Sequence, residues 1–171
     1  MALQEAQRLE RTARRVTFGK PKRADIRAAV RDLTLTAIRS RVLTLPHLAS
    51  VAAAIEHGIQ PAPASLKSSA PTARRALEGL REGMAQALRA LDLASTEYVA
   101  VGGRLSDTEL EAWLVAIDAL PEIADAEIHR LLGSLKKTLH AAEGSEVAEG
   151  TYVLGLLASG TLLGLLKGSD P

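Results

Sequence analysis

Seven cations crowd the first 23 residues: Arg8, Arg11, Arg14, Arg15, Lys20, Lys22 and Arg23. Arg8, Arg11 and Arg15 recur at three- and four-residue spacing and fall on one side of a helix, and the group as a whole could neutralise anionic lipid head groups or nucleic-acid phosphates. No helix-turn-helix, zinc pattern or aromatic stacking platform accompanies them, which speaks against nucleic acid and leaves an anionic lipid surface as the ligand to consider. The competing reading is a solvated helix, or one docked on the acidic remainder of its own chain.

Elsewhere the residues capable of chemistry stand apart. His47, His57, His129 and His140 have neither the spacing nor the carboxylate partners of a metal motif, so no metal site is read. Val101-Gly102-Gly103-Arg104 lacks the preceding strand and the remaining glycines of a phosphate loop; a helix stop explains it. Ser106 reads as a helix cap, and Glu97 with Tyr98 lacks a partner motif. The expectation is a non-enzymatic protein without catalytic, cofactor-binding or metal residues, and no small-molecule substrate is inferred.

The 171 residues fit one domain, and 47% hydrophobic content is ample for a core. Aromatics are 2% of the chain, so Leu, Ala, Val and Ile must fill that core, which favours all-α packing. Cysteine is absent, which fits a reducing compartment. The opening residues MALQEAQRLERTARR carry no apolar leader, and a cytoplasmic location is expected, with membrane or granule association as the alternative. Residues 1–41 hold eleven Lys/Arg against four carboxylates, a balance of +7; with a total of +1, the rest carries −6.

Periodicity places the helices. Leu3, Ala6, Leu9, Ala13 and Val16 form the apolar stripe of a basic amphipathic helix within residues 1–23, which is expected to be loosely attached. Residues 24–171 read as the bundle proper. Its first helix carries Ile26, Val30, Leu33, Ala37 and Ile38; a second starts at Pro46 and is closed by Gly58. IQPAPASLKSSAP, residues 59–71, reads as an internal linker. Leu77, Leu80, Met84, Ala87, Leu91, Ala94, Tyr98 and Val101 then alternate three and four apart, a seam that predicts a long helix from about Pro71 to Val101, stopped by Gly102-Gly103. Ser106-Asp107-Thr108-Glu109 matches a capping box, with Leu105 and Leu110 as its hydrophobic staple. A restart near Pro121 leads to the helix of Ile128, Leu131, Leu132, Leu135 and Leu139, stopped by Gly144.

From Gly150 to Leu166 there is no charge for 17 residues, the lower limit for crossing a bilayer core of about 30 Å. Leucines fall on every side of that helix, so a membrane span, a helix enclosed by its own bundle and a surface for another molecule all satisfy the pattern. Seven Gly, Ser and Thr residues in the run favour enclosure over insertion. Gly160 and Gly164 form a small-xxx-small step that lets another helix come close.

The stretch ALEGLREGMAQALRALDLA, residues 76–94, set among Ala/Leu-rich helices with few aromatics, resembles the texture of phasins, the helical proteins that coat bacterial polyester granules, and of uncharacterised all-helical proteins of proteobacteria. That resemblance covers the middle and C-terminal helices. Composition and periodicity together give the expected fold: a single-domain all-α bundle of six or seven helices, its long central helix from about Pro71 to Val101 and its Gly/Leu-rich C-terminal helix from about Glu146 to Lys167 both lying in the interior. The expected function is a self-associating helical scaffold or interaction protein that contacts itself or another helical protein. Leu77, Leu80, Met84, Leu91, Tyr98, Gly160 and Gly164 are its expected packing residues. The alternative is peripheral binding to an anionic membrane or lipid granule through the basic helix, and a helical enzyme is the distant third.

Overall fold

The computed structural model describes residues 3–19, 25–61, 66–120, 124–144 and 150–168. Among them the chain is all-α, with seven helices: α1 Leu3–Phe18, α2 Ile26–Arg39, α3 Leu45–Ile59, α4 Leu66–Ala100, α5 Asp107–Asp118, α6 Ala126–Ala141 and α7 Gly150–Lys167. One isolated bridge, Leu105 to Glu143, is the sole β-type pairing in the described residues.

Local chemistry explains most boundaries. The side chains of Asp25, Thr44, Ser106 and Asp125 each accept a hydrogen bond from a backbone N–H in the first turn of α2, α3, α5 and α6, satisfying donors that the helix itself leaves open. The capping box is complete: Glu109 N–H donates to Ser106 Oγ, and Ser106 N–H donates to Glu109 Oε2. Helix α4 ends in a Schellman turn, with Gly103 N–H bonded to the Tyr98 carbonyl, Gly102 N–H to the Val99 carbonyl, and Gly102 at φ +87. Gly144, at φ +118, follows α6 as expected. The expected restart at Pro121 lies outside the described residues; α6 itself starts later, behind Asp125.

The centre of the bundle is α4. At 35 residues it is about 52 Å long, and α2, α3, α6 and α7 pack around it. Ala76, Leu80, Met84, Ala87, Leu88, Ala90, Leu91 and Ala94 are all fully buried. The helix begins at Leu66, so residues 66–71 of the expected linker are helical and Pro71 lies inside α4. Of the expected packing residues on α4, Leu80, Met84 and Leu91 reach the core while Leu77 and Tyr98 pack at its margin. Val101 is past the helix end and 80% exposed.

Three expectations need correction. Helix α1 is not loosely attached: it packs on α3 with Ala13 fully buried, and a Cβ at Gly58 would meet the Glu10 carbonyl oxygen and the Ala13 methyl. Gly58 is accordingly a contact glycine inside α3, which continues to Ile59. The third correction concerns α7, which is not enclosed. Gly150, Leu154, Gly155, Ala158 and Leu162 form its buried stripe, whereas Tyr152, Val153, Leu156, Leu157, Leu163 and Leu165 are exposed. The reason is geometric: α4, longer and built of small side chains that admit neighbours around most of its circumference, occupies the central position, leaving a face that includes Arg89, Leu93, Thr96 and Glu97 to solvent.

Candidate functional site

Helix α7 is fixed by its small and polar residues. A Cβ at Gly155 would lie 2.6 Å from Val42 Cγ1 and 2.9 Å from the Leu43 carbonyl oxygen, so only glycine lets α7 sit on the turn after α2. Four residues on, Ser159 Oγ accepts a hydrogen bond from Leu43 N–H at 2.9 Å and donates to the Gly155 carbonyl at 2.8 Å. At the N-terminus, Glu109 Oε1 accepts from Thr151 N–H at 2.9 Å while Oε2 serves α5. One carboxylate therefore caps two helices. Its burial raises the pKa, but the bonds from Thr151 and Ser106 outweigh that and hold it below the usual range.

With its inner side committed, α7 presents an outer face of unbroken hydrocarbon. At about 100° per residue, Tyr152, Val153, Leu156, Leu157, Gly160, Leu163 and Gly164 share one sector, and no charged residue interrupts it before Lys167. Tyr152 is 61% exposed, Leu156 47% and Leu157 41%. A methyl group added at Gly160 or Gly164 would meet nothing within 4 Å, so no described helix of this chain packs on them. By length and composition α7 is apolar enough to cross a membrane.

The cationic residues are only partly gathered. Arg8, Arg11 and Arg15, with Thr12, line one shallow depression on exposed α1. Arg14 points elsewhere and donates to the His57 carbonyl at 3.5 Å. Lys20, Lys22 and Arg23 lie outside the described residues. Glu5 pairs with Arg41 at 2.6 Å, which ties the start of α1 to the end of α2.

A charged cleft, which sequence reasoning missed, opens between α2, α4 and α6. It has a volume of about 540 Å³ and is lined by Asp25, Arg27, Arg31, Gln86, Arg89 and Glu127 among others. Arg27 pairs with Glu82 and Arg89 with Glu127, bonds that cross from one helix to the next. Partners separated by 55 and 38 residues give no local signal. These pairs are largely exposed and contribute at most about 1 kcal/mol each.

The histidines remain dispersed. His57 Nε2 is 3.6 Å from Glu10 Oε1, and His129 Nδ1 is 2.9 Å from the Asp125 carbonyl. His47 is buried, and neither ring nitrogen has a hydrogen-bond partner. Burial lowers its pKa, the nearby main chain of Ala37 and Ile38 pulls the other way, and Arg41 adds repulsion. Among the described residues no group of three His, Asp or Glu gathers to hold a metal.

Fold and surface together define a class: an all-α bundle built around one long helix, apolar on the outside of α7 and cationic along α1. The model of a family of unknown function, DUF6781, matches residues 2–164, and the chain belongs to that family. No curated protein and no solved structure matches it.

Proposed function

We propose that this is a non-enzymatic helical interaction protein that docks through the outer face of α7. The observation carrying this reading is the uncharged face from Tyr152 to Gly164, held open to solvent by a helix whose inner side is pinned through Gly155 and Ser159. A contiguous apolar patch of this kind marks an interaction surface. Hydroxyl-radical footprinting tests it: Tyr152 and the outer leucines should be labelled in dilute purified protein and protected inside cells. Equal labelling in both settings would defeat the reading.

A second reading rests on a different observation. Arg8, Arg11 and Arg15 are exposed side by side on α1, a cationic stripe suited to an anionic membrane or granule surface. Sedimentation with anionic vesicles separates the two: binding lost at high salt and on Arg8→Glu/Arg11→Glu/Arg15→Glu substitution supports the stripe, and equal recovery with and without lipid removes it.

A further inference from the structure

The outer face of α7 has a geometric centre, and that centre is a glycine. Gly160 lies near the middle of the 18-residue helix and near the middle of the exposed sector, with Val153, Leu156, Leu157, Leu163 and Gly164 around it. Space above Gly160 is open. We propose that this face packs against the same face of a second copy, the two α7 helices crossing at Gly160 in an antiparallel, two-fold pair. The proposal rests on the docking reading above and names its partner.

Three properties favour a second copy. The face carries no charge between Gly150 and Leu166, so self-pairing brings no like charges together in its middle. Its ends differ in sign. Exposed Lys167 closes the C-terminal end, and Arg39 lies beside Leu162 and Leu163. At the other end Glu109 accepts from Thr151 N–H, and Leu105, which bridges to exposed Glu143, packs at Gly150. Arg104 is there too, its guanidinium bonded to the Gly103 carbonyl, one cation against those two carboxylates. An antiparallel pair sets basic end against acidic end and opposes the two helix dipoles; a parallel pair does the reverse. The third property is area. Five large apolar side chains, Tyr152, Val153, Leu156, Leu157 and Leu163, each about 40–60% exposed, offer with the two glycines between them on the order of 500 Å² per copy, so two copies come to roughly the 1,000 Å² that a specific interface requires. A two-fold contact is also closed, and so ends at the dimer.

The absence of cysteine makes the geometry testable in the full chain. Sedimentation equilibrium of the purified protein should show a monomer–dimer equilibrium. Gly160→Arg should raise the dissociation constant at least about tenfold and leave the circular dichroism unchanged, because the side chain meets nothing in the single copy. Gly160→Cys should form an intermolecular disulfide across the axis, and Gly164→Cys alone should not, whereas a mixture of Leu156→Cys and Gly164→Cys chains should cross-link. Equal self-cross-linking at 160 and 164 would overturn the antiparallel pair. A monomer at every concentration overturns the second copy; cellular protection of Tyr152 would then preserve docking through α7, and no protection would end both ideas. Recovery of the monomer with anionic vesicles, lost in Gly160→Arg, would assign the face to lipid and overturn the proposal as well.

Discussion

Helices α4 and α7 each carry two glycines four residues apart, with opposite outcomes. On α4, a Cβ at Gly79 would run into the Arg27 carbonyl oxygen, and one at Gly83 would come within 2.9 Å of the Thr34 side chain. There α2 lies against the glycines, backbone close to backbone. On α7, Gly160 and Gly164 face open space. A small-xxx-small step thus permits close approach without dictating that it occurs within the chain. What decides is whether the flanking residues complete a surface: Gly79 and Gly83 neighbour buried Leu80 and Met84, while Gly160 and Gly164 are set between exposed Leu156, Leu157 and Leu163.

The sharpest way to break the contrast is Gly79→Leu. Overpacking against a backbone carbonyl cannot be relieved by a rotamer change, so a loss of about 3 kcal/mol or more is expected in urea unfolding. The same substitution at Gly164 should not destabilise the single copy, and helix propensity favours it by up to about 0.8 kcal/mol.

Next in size is Glu109→Ala, which removes acceptors from the starts of α5 and α7 together and should lower stability by about 1–3 kcal/mol. The pH dependence has a definite sign. Because the folded state holds Glu109 below its ordinary value, the stabilisation is fully present above the unfolded pKa of about 4.3 and is lost as pH falls through the folded value. Stability measured from pH 6 to pH 3 should therefore fall less steeply in Glu109→Ala than in the parent.

A gentler effect comes from Gly133→Ala and Gly164→Ala, both exposed and free of neighbours. Each should stabilise the single copy by about 0.5–1 kcal/mol through helix propensity, visible as a higher Tm; Gly83→Ala, against Thr34, should show no such gain.

The smallest effect belongs to His47. Burial keeps its folded pKa depressed, so the unfolded chain takes up the proton first and stability declines as pH drops below about 6.5. His47→Gln should flatten that part of the profile.

Much of the architecture was legible because capping and periodicity are local. The Ser106–Glu109 box, the stops at Gly102-Gly103 and Gly144 and the Leu80-Met84-Leu91 seam could each be read within a few turns of chain. The exclusion of α7 from the interior could not be read so. Hydropathy favoured α7, which has leucine on every side, over α4, whose interior surface is largely alanine and glycine; yet close packing selects by shape, and small residues let four helices converge. The polar cleft was hidden for a related reason, since Arg27 and Glu82 meet only after folding. The α1 arginines were recognised as a set, but helix geometry keeps Arg14 apart from Arg8, Arg11 and Arg15.

The bond from Leu43 N–H to Ser159 has a consequence for everything outside the bundle. It acts as a key in a slot, setting the azimuth of α7: turning the rod by one residue would strand that amide and drive a leucine into the space reserved for Gly155. Whatever meets this protein along α7 therefore finds the same hydrocarbon side each time, with the orientation already chosen before any encounter.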